Sequence, residues 1–178
     1  MKNYFELTYC DEELYAPFGV AYAPANTDAF LLPPTGEQIA NWEPLEFELR
    51  DGGFADYLSN DLGARLCSES MRLVIDRNRS ECDEIQWLPV SVRTPNGIAR
   101  ACFILHFPKN FDVFNKRASI MSGDVMVEPV LDKDQTAQRN LFGFPSESGR
   151  TTYVSSHLKA AMEGAGLTGI ECIPVRVE

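Results

Sequence analysis

Two stretches of this chain repeat one pattern at a constant spacing, and that spacing limits the folds open to it. Ser70, Leu73, Ile85, Pro89, Val90 and Val92 recur, 85 positions later and without a gap, as Ser155, Leu158, Ile170, Pro174, Val175 and Val177. Each stretch starts as an amphipathic helix and ends as a strand. Met71, Val74 and Ile75 follow Ser70 at the spacing of one buried helical stripe, and Leu158, Ala161, Met162 and Ala165 follow Ser155 in the same way. Ser70 and Ser155 have the chemistry of N-caps, Arg77 and Arg79 suit the end of the first helix, and Gly166 suits the stop of the second. In both strands the apolar positions change phase just before the proline, which predicts a bulge or an edge position. The recurrence fits a duplicated unit, and it also fits two similar solutions to one packing problem.

The remaining segments are rich in strand signals. Tyr4, Glu6 and Thr8 alternate with Phe5, Leu7 and Tyr9, and Leu45 to Leu49 alternates with an acidic outer face before Gly52-Gly53. Pro17, Pro24, Pro33 and Pro34 rule out a long helix between those two strands. Thr94-Pro95-Asn96-Gly97 reads as a hairpin turn, and Ala99 to Phe107 as the returning strand. On that strand Ala99, Ala101, Phe103, Leu105 and Phe107 share one face, opposite Arg100, Cys102, Ile104 and His106. Further strands are expected at 125–131 and 139–144, a loop at 145–149 and a last strand from Ile170 to Val177. The expected architecture is α+β: a mixed, mainly antiparallel sheet with two principal helices, built as a single domain over 1–178. Within it, 1–60 would form an acidic strand and loop region and 61–178 the core.

At 178 residues, with 44% hydrophobic and 24% charged side chains, the chain can bury a core unaided by disulfides. Its five cysteines are scattered and its start lacks an apolar run, so a cytoplasmic location is expected. Charge is distributed unevenly. Residues 1–60 hold eleven carboxylates against Lys2 and Arg50, and so carry −9 of the total −10. A field of that sign repels nucleic acid and anionic lipid and speeds encounter with a basic protein. Neither nucleic acid nor membrane is an expected partner.

The usual catalytic patterns are missing. His106 and His157 are the only histidines, and neither sits at metal-ligand spacing from cysteines or carboxylates, so no metal or cofactor is expected. Cys102 and His106 share a strand face but stand about 13 Å apart at strand rise, too far for a nucleophile–base pair. Asp132-Lys133-Asp134 opens like a calcium loop, yet Ala137 and Gly143 occupy the places where glycine and glutamate are needed. No phosphate-cradling glycine motif occurs.

From Ser70 onward the chain resembles a family of bacterial immunity proteins of polymorphic-toxin systems, the eleventh numbered class, formerly known only as a domain of unknown function. The residues that carry the likeness are Ser70, Trp87-Leu88-Pro89-Val90, Phe111-Asp112-Val113, Ser119, Leu141-Phe142 and Val154-Ser155. They continue through Leu158 and Gly166-Leu167-Thr168-Gly169-Ile170 to Pro174. The resemblance implies a non-catalytic protein that neutralises a cognate toxin by direct binding inside the cell. The expected toxin-facing residues are the acids Asp11, Glu12, Glu13, Glu43, Glu46, Glu48 and Asp51, which would steer a basic toxin. Two alternatives remain: an enzyme using dispersed carboxylates or Cys102, and a structural protein or homodimer in which proline-marked strands pair across a symmetry axis.

Overall fold

A computed structural model describes residues 2–10, 18–25, 27, 36–122, 125–146 and 149–178. The fold is α+β, with mostly antiparallel sheets and two main helices. The strands are β1 Tyr4–Tyr9, β2 Val20–Tyr22, β3 Glu46–Arg50, β4 Tyr57–Leu58, β5 Leu66–Ser68, β6 Gln86–Arg93 and β7 Ala99–His106. They continue with β8 Ile120–Ser122, β9 Val125–Glu128, β10 Val130–Leu131, β11 Leu141–Ser146, β12 Gly149–Ser155 and β13 Ile170–Val177. The helices are α1 Glu69–Asn78, α2 Lys133–Thr136 and α3 Ser156–Gly164.

One sheet has the order β2-β3-β6-β7-β5-β4, and the other the order β10-β13-β1-β12-β11. Five strands of the first, all but β2, match the five of the second. In the first, β7 lies antiparallel between β5 and β6, which α1 links, with β3 parallel outside β6 and β4 antiparallel outside β5. In the second, β1 lies antiparallel between β12 and β13, which α3 links, with β10 parallel outside β13 and β11 antiparallel outside β12. The single change of order is that the counterpart of β7 comes first in the chain, as β1.

Register matches as well. Cys67, Phe103 and Pro89 stand side by side in one sheet, as Val154, Phe5 and Pro174 do in the other. Each helix places one cation over the equivalent phenylalanine, Arg72 over Phe103 and Lys159 over Phe5. The same cations pair four residues on with Asp76 and Glu163. The likeness seen between two helix–strand stretches therefore extends to two whole half-molecules.

The halves meet through reciprocal contacts, as the subunits of a symmetric dimer do. Asp56 of the first half accepts from the backbone and hydroxyl of Thr168, and Asn140 of the second donates its backbone N–H to Asp83, the position equivalent to Thr168. Arg65 donates Nε to the hydroxyl of Thr152, its own counterpart, at 2.6 Å. The helices pack on each other, and one core takes Leu105, Met71 and Ile75 from one half and Leu7, Leu158 and Met162 from the other.

The outer faces of the two sheets differ. Ala21 of β2 pairs with Leu49 on β3 and with Asn60 just beyond β4, so the first sheet closes on itself around Phe47, Leu58, Leu66, Leu88 and Ile104. The second sheet stays open and packs Tyr4, Phe142 and Tyr153 under Val113 and Phe114.

Several expectations need correction. The first helix is capped by Ser68, whose hydroxyl accepts from Met71 N–H, and Ser70 lies inside the helix. Caps therefore recur at a spacing of 87 and strands at 85, because the helix-to-strand connection is two residues shorter in the second half. Ser155 and Gly166 act as expected, Gly166 at φ 66°. The phase change before Pro89 and Pro174 is not a bulge, since both ladders run without a register shift. In β6 it arises because both faces are covered, Trp87 by the shared core and Leu88, Val90 and Val92 by the interior of the first sheet; in β13 Cys172 packs on the shared core and Val175 and Val177 on the outer cluster, while Ile173 is left exposed. The edge reading holds for Pro174, which β10 does not reach, but at Pro89 the Trp42 segment covers the edge. Of the loop expected at 145–149, Pro145, Ser146 and Gly149 instead pair within β11 and β12 and the other two residues lie outside the described ones; the strand at 125–131 divides into β9 and β10. The boundary near residue 60 does not follow the fold, because β1 is the middle strand of the second sheet.

Candidate interaction surface

Four of the seven acids expected to face a toxin lie among the described residues. Phe47 and Leu49 of β3 point into the barrel, which turns Glu46 and Glu48 outward. Both meet arginines there. Glu46 takes a forked contact from Arg93 on the parallel neighbour β6, with N–O distances of 2.8 to 3.0 Å. Glu48 pairs with Arg50 at 2.7 Å. Asp51 occupies the turn after β3 at φ 58°, and Glu43 is exposed in the segment before it. Asp11, Glu12 and Glu13 lie outside the described residues. The acidic face of β3 is thus a salt-bridged ribbon whose field is largely cancelled at short range.

Cys102 is buried inside the barrel, and burial pushes its thiol up to about 12. A thiol so held stays protonated at neutral pH and out of a substrate's reach. His106 is buried on the same strand face, with Nε2 2.6 Å from the Glu37 carbonyl oxygen. Among the described residues no group of three His, Cys, Asp or Glu side chains is placed to hold a metal ion. Among the described residues no helix is long and apolar enough to cross a membrane.

A cleft of about 470 Å³ opens at the start of α1, between Phe54, Asp56, Ser68, Glu69, Arg100 and Thr168. Its polar groups serve the fold. The Ser68 hydroxyl donates to Asp56 at 2.6 Å while capping α1, Asp56 also holds Thr168, and the Arg100 guanidinium lies over the Phe54 ring. A hydroxyl committed to a cap and a carboxylate that already accepts three bonds are poorly suited to acid–base work.

A different surface emerges on the open sheet. Glu6 of β1 faces outward between Ile173 of β13 and Tyr153 of β12, and Glu171 stands beside Thr8 one step along. The counterparts of Glu6, Ile173 and Tyr153 in the barrel half are Ile104, Leu88 and Leu66, all core residues. Ile173 is 45% exposed where Leu88 is 1%. Glu6 makes no ion pair among the described residues, and desolvation raises its carboxyl above the ordinary value. Its charge in turn helps to push the Tyr153 phenol up, after burial. The sheet therefore shows solvent a half-desolvated carboxylate, a large apolar side chain and a second acid on one face.

Sequence reasoning did not single out Glu6, Glu171 or Ile173. The exchange of Gln86 for Glu171 is visible at the 85-residue spacing, but Glu6 lies on the permuted strand, where no constant offset leads from Ile104. No family model and no curated protein matches the chain.

Proposed function

We propose that the chain is an immunity-type protein of the cytoplasm that neutralises a toxin by binding it, and that the open sheet face around Glu6 and Ile173 is where it does so. The observation that carries this is the contrast between the halves: positions buried as Leu88 and Ile104 in one are exposed as Ile173 and charged as Glu6 in the other. A chain that leaves a core position uncovered and places beside it a carboxylate with no ion pair among the described residues keeps a surface whose desolvation a cationic partner would compensate. The resemblance from Ser70 onward supports the same reading. The overall charge of −10 adds long-range attraction for a basic toxin, while the paired Glu46 and Glu48 contribute little locally. Glu43, Asp51 and the acids Asp11, Glu12 and Glu13 share in that long-range field.

The test is to express the protein encoded beside this one in a growing bacterial culture, with and without this chain. Growth rescue together with a salt-sensitive complex of the two purified proteins is expected. A toxic neighbour that neither binds nor is neutralised would overturn the proposal.

A further inference from the structure

Residues 36–45 show what a covered edge looks like in this fold. They run along the outer edge of β6, before β3 takes over that edge at Glu46. The Gln86 amide accepts from Ile39 N–H at 3.0 Å and donates to the Ile39 carbonyl at 2.8 Å. The Trp42 indole N–H donates to the Pro89 carbonyl at 2.8 Å, and Ser91 N–H to Leu45 at 3.0 Å. Ile39, Trp42 and Leu45 also pack on the barrel core. One segment, bent at Ala40 and Asn41, thus covers both an edge and a face.

The same place on β13 is bare among the described residues. β10 pairs with β13 only at Arg176 and Val177, and the chain before it leaves the sheet to form β9 of the β8–β9 hairpin. Along Ile170–Pro174 the outer edge keeps its backbone groups, and Ile173 and Pro174 are exposed. An exposed edge of this kind is a template for a further strand.

We infer that β13 accepts a basic segment of another protein along this edge, in the place that residues 39–45 take on β6. This rests on the binding role proposed above and names the partner element. Two substitutions between the halves set its chemistry. Gln86, which both donates and accepts, is replaced by Glu171, which accepts only, and Ile104 is replaced by Glu6. Where Ile39 lays an apolar side chain in the barrel half, the incoming segment lays a lysine or arginine between Glu6 and Glu171, next to Ile173. The Pro174 carbonyl takes an N–H donor, as Pro89 takes that of Trp42. A second copy of this chain is a poor occupant, since the same edge would bring its own Glu171 and Glu6 against ours.

The probe is a labelled ten-residue peptide with the sequence of residues 36–45, in which Ile39 is replaced by lysine and Glu37 and Glu43 by glutamine. Its binding to the full chain is read by fluorescence anisotropy. Saturable binding is expected, weakened roughly tenfold by Glu6→Gln and more by Glu6→Lys with Glu171→Lys, and unchanged by Glu46→Gln with Glu48→Gln. The parent peptide, with Ile39 and both glutamates, should bind far less. Far-ultraviolet circular dichroism of each variant separates lost binding from lost fold, and Glu6→Gln preserves the shape of the site. Absence of saturable binding, or binding indifferent to Glu6 and Glu171, would overturn the inference. Growth rescue by the wild-type chain that survives in the Glu6→Lys, Glu171→Lys variant removes this site and leaves the neutralising role; peptide binding without any rescue does the reverse.

Discussion

A carboxylate half-withdrawn from water, with no ion pair among the described residues, lowers the stability of the fold that holds it. Desolvation raises the pKa of Glu6 from its ordinary 4.5, so the folded chain keeps this proton to a higher pH than the unfolded chain does. Below the unfolded value both states are protonated and no cost arises. Stability then falls as pH rises from the unfolded to the folded pKa, and the full cost is present above both. Glu6→Gln should therefore stabilise the fold slightly at neutral pH, by about 0.5 kcal/mol at most in a site this open to solvent, and the gain should vanish in acid. Thermal melts of both proteins between acid and neutral pH check this, and a gain that persists in acid would contradict it. Gly143 is limited by space rather than charge. A Cβ there would overlap the Phe107 ring, which belongs to the other half and is fully buried. Gly143→Ala should cost about 1–3 kcal/mol by chemical denaturation, since neither the ring nor the strand has room to yield.

Helix caps are where residues become elements, and here they also join the elements to each other. Ser155 accepts from Leu158 N–H while its hydroxyl donates to the Asn140 side chain and its N–H to the Asn140 carbonyl. Ser68 makes the same set with Met71 and Asp56. Removing the Ser155 hydroxyl deprives α3 of its cap and leaves a half-buried amide oxygen short of a donor. Ser155→Ala should thus cost about 2 kcal/mol, more than an isolated cap, and lower the melting temperature by about 4–8 °C. A loss no larger than that of an exposed cap would mean that Asn140 finds another donor. The second helix was legible to the residue, because Ser155, its apolar stripe and Gly166 agree. The first was misplaced by two residues because Ser70 competes with Ser68, and only burial of the hydroxyl against Asp56 decides between them. Strands with alternating patterns, such as β3 and β7, were read correctly, whereas β12 was missed. Its Thr151-Thr152-Tyr153-Val154 run is short and follows the turn residues of its own hairpin.

At the scale of the whole molecule, the sequence carried the repeat but not its extent. A constant offset finds contiguous segments, and it identified α1–β6 and α3–β13. It cannot find β1, whose counterpart β7 follows its unit while β1 precedes the whole chain. The candidate surface was hidden for the same reason, since Glu6 looks unusual only once it is laid on Ile104. This permutation makes a specific demand on the polypeptide. β1 and β13 run antiparallel with Tyr4 opposite Val175, as β7 and β6 do with Cys102 opposite Val90. In the barrel half Thr94 to Ile98 closes that hairpin, with Thr94 N–H bonded to the Ile98 carbonyl. Copying those five residues between Glu178 and Met1, and opening the chain between Cys10 and Asp11, should place β1 after β13 and restore the order of the barrel half. The new connection is short and of a proven geometry, and the closure entropy of a loop changes only slowly with its length. The permuted chain should therefore melt cooperatively within a few degrees of the parent and bind the lysine-bearing peptide with unchanged affinity. Aggregation or a non-cooperative melt would show instead that β1 must enter the sheet from the N-terminal side, and that the two halves, though alike in register and contacts, are not interchangeable in connection.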